Sequence, residues 1–151
     1  ASEPEKHGTV GAGGLDASGH LAAATTTGGY NNKPAGRIGD TPIAGAGTYA
    51  RDGVCAVSGT GKGEYFIRYA VGHEVASRVR YLGESVDQAA TDLIMEELKP
   101  HAIGAGLVAV GADGSITAPY NTAGMFRGWV TPDGEFFVAT HDEVFAVSAN
   151  G

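Results

Sequence analysis

A threonine hydroxyl is a weak nucleophile unless a base stands beside it. One way to supply the base is to put the threonine at a chain terminus. Its own α-amino group, with an ordinary pKa of about 7.7–8.0, can then take the proton near neutral pH. Thr9, preceded by Gly8, has the form that such a residue needs before the bond in front of it is cut. A glycine at that bond leaves room for the tight backbone turn of self-cleavage. Taken alone, a Gly-Thr pair equally suits the start of a strand. A second candidate is the run GTGKGE at 59–64, whose glycines suggest a phosphate loop. It lacks that motif's spacing, because Gly63 and Glu64 follow Lys62 where a serine or threonine is required. The five histidines have no metal-ligand spacing, and the single cysteine, Cys55, fits a small buried core position.

The elements that must carry these residues follow from periodicity and turn chemistry. Residues 1–8 form a polar lead with no apolar stretch, unlike a signal peptide. Residues 9–15 and 20–27 are β-compatible runs joined by Asp16-Ala17-Ser18-Gly19, which predicts a hairpin. Residues 28–46 are rich in breakers, and so long an irregular segment is usually functional. Residues 47–50 and 54–59 predict a strand pair. Phe66, Tyr69, Ala70, His73, Ala76 and Val79 recur at helical spacing, with Glu64 and Arg68 as an i,i+4 pair. A second helix is expected from Ser85, with Gln88 completing a capping box, to about Leu98 before Pro100. Strands are expected at 105–110, 115–120, 126–130 and 135–140. Strands, two helices, then strands make an α+β fold rather than a doubly wound one. The helices can cover one sheet face, and no obvious cover for the other appears. The runs at 9–15, 20–27, 54–59 and 105–110 carry apolar or small residues at consecutive positions, which predicts burial on both faces.

Composition removes several functions. Hydrophobic residues make up 42% of the 151, and the 25 glycines show no period of three, so the chain is globular and not collagen-like. A net charge of −7 gains nothing from counterion release on a phosphate backbone, which argues against nucleic acid as a partner. No apolar run is long enough to span a bilayer. One cysteine allows no intrachain disulfide, which suits a cytoplasmic setting.

Four blocks together resemble one family. HGTVGAGGLDASGHLAAATTTGG at 7–29, GRIGDTPIAGAGTYA at 36–50, VSGTGKGE at 57–64 and NTAGMFR at 121–127 are similar, in order and spacing, to the β chain of plant-type L-asparaginases and isoaspartyl peptidases. These are N-terminal-nucleophile hydrolases. The resemblance implies that Thr9 is the nucleophile, freed by autocatalytic cleavage at Gly8-Thr9, and that Thr27 tunes it. It implies that Arg37 and Asp40 grip the α-carboxylate and α-amino groups of the substrate. A planar guanidinium suits a carboxylate and an aspartate suits an ammonium. It implies that Thr60 and Gly61 form the oxyanion hole. Asn121, Thr122 and Gly124 are expected as structural support, and Trp129 as packing.

The family's enzyme is an αβ unit made by cutting one precursor, and such units pair into a dimer. The resemblance therefore implies half of a four-layer αββα sandwich. Residues 1–8 would be the end of the α-segment or an added lead, residues 9–151 the catalytic β-subunit, and an α-subunit from the same precursor the partner. Expected substrates are β-aspartyl dipeptides and L-asparagine. No cofactor is expected for catalysis, though the family admits a structural sodium or potassium ion. The alternatives are a glycosylasparaginase-like enzyme or an aspartate-directed endopeptidase on the same scaffold, or a non-catalytic assembly module. Two departures stand out. Gly13-Gly14 replaces bulkier apolar residues, which predicts weaker strand packing, and the tail from about His141 has no counterpart.

Overall fold

The computed structural model describes residues 7–147; the polar lead before His7 and the last four residues of the tail lie outside the described part. Strands β1 (His7–Leu15) and β2 (Leu21–Tyr30) form the expected antiparallel hairpin. The Asp16 carboxylate holds its turn by accepting from the Ser18 and His20 amides, both at 2.8 Å. Strands β3 (Thr48–Arg51), β4 (Cys55–Gly61), β5 (Ala105–Gly111) and β6 (Ile116–Thr117) make a four-stranded antiparallel sheet in that order. Strands β7 (Arg127–Val130), β8 (Phe136–Ala139) and β9 (Val144–Val147) make a separate meander. The mixed α and β composition agrees with the predicted class. Of the run 115–120, only β6 pairs as a strand, and β9 lies in the unmatched tail.

The helical layer differs in detail from the periodicity. α1 (Gly63–Tyr69) and α2 (Val71–Ser77) are separated at Ala70, whose backbone is left-handed at φ 46°. For a residue other than glycine this costs roughly 1–2 kcal/mol, and alanine, the best helix former, gives no warning of it. The break rotates the buried stripe, so Val71 and Val75 are buried while His73 is exposed. Glu64 does not serve Arg68 as expected; it turns to Arg37. α3 (Val86–Asp92) begins at Ser85, whose hydroxyl accepts from the Gln88 amide at 3.1 Å. Only this half of the capping box forms, because the Gln88 side chain donates to Asp92. Wider π-turns, Arg78–Leu82 and Leu93–Leu98, continue α2 and α3.

Alternation along β4 and β5 sets two opposite faces. On one, Cys55, Val57, Ala105, Leu107 and Ala109 pack against Phe66, Val75, Leu93, Ile94 and Leu98 of the helices. On the other, Ala56 and Val110 pack against Leu15, Leu21 and Ala23 of the hairpin. The cover that the sequence left unassigned is therefore the chain's own β1–β2 hairpin. The hairpin itself corrects the expectation of two-sided burial at 9–15 and 20–27. Leu15, Leu21, Ala23 and Thr25 face inward, whereas Val10, Ala12, Ala22 and Ala24 face out, with Val10 69% exposed. A Cβ at position 13 would make ordinary contact with Val110 at 3.4 Å, and one at position 14 would meet nothing within 4 Å, so neither glycine is required by close packing. Among the described residues, no helix is long and apolar enough to cross a membrane.

Candidate active site

The hairpin places Thr9 on its inward face, directly opposite Thr27. The ladder is regular from Thr9 to Leu15 and shifts register between His7 and Thr9, at the Gly8 junction, where Gly28 and Gly29 stand opposite. Thr27 turns its hydroxyl oxygen back to accept from the Gly29 amide at 3.0 Å. That bond occupies one lone pair and leaves the O–H free to donate. Two residues along the same face, Thr25 joins a hydroxyl chain. Thr48 donates to Thr25 at 2.5 Å, and Thr25 and Ser58 share a hydrogen bond at 2.6 Å. This chain fastens the hairpin to β3 and β4, a role beyond the simple packing its position suggests. Gly11 permits it, since a Cβ there would lie 2.0 Å from Ser58 Oγ.

β4 ends with Thr60 and Gly61 rather than merging into a helical turn, and α1 starts two residues later. Thr60 has the parity of Ala56 and Ser58, so its side chain projects from the face that the hairpin covers, toward the layer carrying Thr9. Gly61 has φ 147°, and a Cβ there would stand 2.7 Å from the Gly104 carbonyl oxygen. Only glycine fits this exit from the strand.

The irregular segment after β2 delivers Arg37 and Asp40. The Arg37 guanidinium lies over the Tyr30 ring, 4.3 Å from its centroid, and is gripped along one edge by Glu64. Nε donates to Oε1 at 3.0 Å and Nη2 to Oε2 at 3.4 Å. The bond to Arg37 is the main reason the Glu64 carboxyl sits below the ordinary carboxylate range. Asp40 is different. Its side chain is buried, and Oδ2 has no hydrogen-bond partner among the described residues. Burial pushes its carboxyl above the usual value, and the Arg37 charge and backbone amides offset only part of that. A buried carboxylate without a partner is costly, so a complementary cation is favoured there.

Two cavities meet at this point, and Thr9 and Gly61 line both. The smaller, about 380 Å³, is bounded by Thr27, Tyr30, Arg37 and Asp40. The larger, about 730 Å³, is bounded by Gly8, Thr60, Tyr120, Thr122, Met125 and Phe126. The structure thus brings Gly8, Thr9, Thr27, Arg37, Asp40, Thr60 and Gly61 to one place. Asn121 is structural, as expected: it accepts from the Ala105 amide at 2.8 Å and donates to the Ile94 and Ile103 carbonyls. Thr122 and Gly124 also border the larger cavity. Trp129 stacks on Phe137, and buried Cys55 has its thiol pushed up to about 11. Glu64 was missed as a site residue, although it closes the VSGTGKGE block, because helical spacing assigned it to Arg68. No three His, Cys, Asp or Glu side chains among the described residues are placed to hold a metal ion.

Comparison with known proteins agrees with the blocks. The asparaginase family model matches residues 1–139, across the Gly8–Thr9 junction and up to the end of β8. The isoaspartyl peptidase of Escherichia coli (strain K12) is 46% identical over 127 residues, which is 84% of this chain and 40% of that protein. A putative isoaspartyl peptidase/L-asparaginase of Dictyostelium discoideum is 48% identical over 128 residues, 85% of this chain and 36% of its own. A plant-type L-asparaginase of Pyrobaculum calidifontis is 40% identical over 126 residues, 82% and 42% respectively. The chain spans about two fifths of the length of these curated relatives.

Proposed function

Because this chain belongs to the asparaginase family, we propose that it is the nucleophile-bearing part of a threonine amidohydrolase that cleaves β-aspartyl dipeptides and L-asparagine. The observation that carries this reading is the position of Thr9 where the two cavities meet. One cavity offers Arg37 and Asp40, the other Thr60, with Gly61 between them. An aspartyl group fits the smaller side, its α-carboxylate on Arg37 and its ammonium at Asp40, which both line that cavity. That places its side-chain amide at Thr9 and the leaving group in the larger cavity.

The reaction then needs protein groups only. The Thr9 hydroxyl oxygen attacks the amide carbon as the Thr9 amine takes its proton. Negative charge gathers on the carbonyl oxygen, which Thr60 Oγ–H and the Gly61 amide stabilise. The C–N bond breaks, and the amine returns the proton to the departing nitrogen. Thr27 orients the nucleophile through its free O–H. Water attacks the resulting ester, activated by the same amine, and releases aspartate.

In the uncut chain the Thr9 nitrogen is an amide and cannot act as base. We therefore take Gly8-Thr9 as an autocatalytic cleavage site, with residues 1–8 ending an α-segment and residues 9–151 forming the β-subunit. The register shift at Gly8 supports this, because it interrupts the ladder at the bond to be cut. The three layers seen, helices, four-stranded sheet and hairpin, would become the four of an αββα sandwich once an α-subunit covers the outer face of the hairpin. Two such αβ units would form the dimer, in the cytoplasm.

Mass spectrometry of the purified full-length protein tests the reading. A fragment beginning at Thr9 is expected, together with hydrolysis of β-aspartyl dipeptides. Thr9→Ala should leave the Gly8 bond intact and abolish turnover. A Thr9→Ala variant that is still cut and still active would show that another residue is the nucleophile.

A further inference from the structure

We infer that Glu64 is a positioning residue for substrate recognition, fixing one edge of the Arg37 guanidinium so that the opposite side is offered to the substrate carboxylate. The inference rests on the binding role proposed for Arg37. A guanidinium has five N–H donors in a rigid plane, and an arginine on an irregular segment has no reason to hold that plane in one direction. Here two contacts remove its freedom. Glu64 takes the Nε–Nη2 edge through both carboxylate oxygens. The Tyr30 ring closes one flat face at 4.3 Å. Gly39 lies against Nη1, where a Cβ would stand only 2.9 Å away, so a side chain at position 39 would crowd the nitrogen left for a ligand.

Glu64 is well placed for this work. It lies in the first turn of α1, three residues after Gly61, on the segment that leaves β4. That element is rooted in the core through Phe66, which is fully buried. Arg37 comes from a loop, so Glu64 transfers the rigidity of the core to it. The same β4–α1 segment would then fix both the oxyanion groups and the carboxylate anchor, and hence the distance between the two ends of a bound aspartyl group. Glu64 itself does not border the cavity. Its effect on the substrate passes through Arg37.

The test uses the full-length protein with Glu64→Ala and Glu64→Gln, kinetics with a β-aspartyl dipeptide, and calorimetric titration with L-aspartate. Glu64→Ala is expected to raise both KM and the L-aspartate Kd about tenfold while kcat stays within about twofold. Glu64→Gln keeps an acceptor for Nε–H without the charge and should recover about half of that loss on a logarithmic scale. A merely structural role would instead lower kcat and thermal stability in both variants and give no such separation. The inference fails if Glu64→Ala retains wild-type KM and L-aspartate affinity, or loses kcat with KM unchanged. A wild-type protein that hydrolyses no β-aspartyl substrate would sink the proposed function alone, since the titration would still decide the role of Glu64. A wild-type protein that does not bind L-aspartate would sink both.

Discussion

The β4–β5 pair and the β1–β2 hairpin are built from similar small and apolar residues, yet they live in different surroundings. β4 and β5 are buried along nearly their whole length, between helices on one face and the hairpin on the other. The hairpin is covered on one face only, and its outer face shows Val10, Ala12, Ala22 and Ala24 to solvent. The first pair is a fixed platform, and it presents Thr60 and Gly61. The second is a flap seated on that platform, and it presents Thr9 and Thr27. The proposed chemistry sits in the seam. The alignment of the proposed nucleophile and oxyanion groups therefore depends on what fastens the flap: a small apolar contact around Leu15, Leu21, Ala56 and Val110, the Thr48–Thr25–Ser58 hydroxyl chain, and the Leu21 amide donating to Asp52 at 2.7 Å.

The largest expected effect concerns the uncovered face. Residues 1–151 expressed alone should aggregate or fold poorly, and co-expression with the family's α-type segment should rescue them, because exposed apolar patches of several hundred Å² mark interfaces. Sedimentation of the isolated chain checks this; a soluble monomer with cooperative unfolding would mean that the hairpin's outer face needs no cover. Within a folded protein, truncations should then rank by region. Leu107→Ala, in the platform, should cost about 2–5 kcal/mol. Val10→Ala, on the outer face, should cost that much only where a partner segment covers it, so denaturant unfolding with and without the partner maps the cover.

Gly11→Ala probes the seam. The added methyl must displace Ser58, at an expected cost of about 1–3 kcal/mol. Ser58→Gly in the same chain should recover much of it, a non-additivity that a double-mutant cycle measures. Equal costs with and without Ser58 would place the hairpin elsewhere.

Asp40→Asn should separate function from stability. A carboxyl whose pKa is higher in the fold than in the unfolded chain binds its proton more tightly when folded. Its charge is thus unfavourable to the fold above that raised value, and stability improves as pH falls through it. The asparagine variant should therefore unfold at a higher Tm than the parent at neutral pH. At the same time it should lose affinity for an ammonium-bearing substrate. A drop in Tm would show that the charge is satisfied after all. The smallest effect is expected at Cys55, buried in the platform with its thiol pushed up to about 11. Thiol reagents at neutral pH should label it only as fast as the core opens, and rapid labelling of native protein would mean the platform is loosely packed.

Much of this was legible beforehand where local chemistry decides structure. The Asp16–Gly19 turn, the Ser85 cap and the two-sided burial of β4 and β5 are each set by residues within a few positions of one another, so spacing sufficed. The sequence blocks likewise pointed to side chains that line two adjoining cavities. Where distant residues decide, the reading failed. The left-handed Ala70 has no local signature, since alanine is the best helix former and strongly disfavours that backbone. The Glu64–Arg68 pair was plausible on a helix surface, but Arg37, 27 residues away in sequence, competes for the same carboxylate.

By itself the sequence determined the chemical inventory: a threonine behind a glycine, an arginine and aspartate three residues apart, and a Thr-Gly pair at the end of an apolar strand. Those follow from residue type and short-range spacing. Only the tertiary structure decided which surfaces meet. Among the described residues it put the hairpin on the open face of the sheet, left the hairpin's outer face bare, gave one oxygen of Asp40 no hydrogen-bond partner, and gave Arg37 to Glu64. These depend on which buried faces and charges lie nearest once the chain has closed on itself, and no window of local sequence contains that distance.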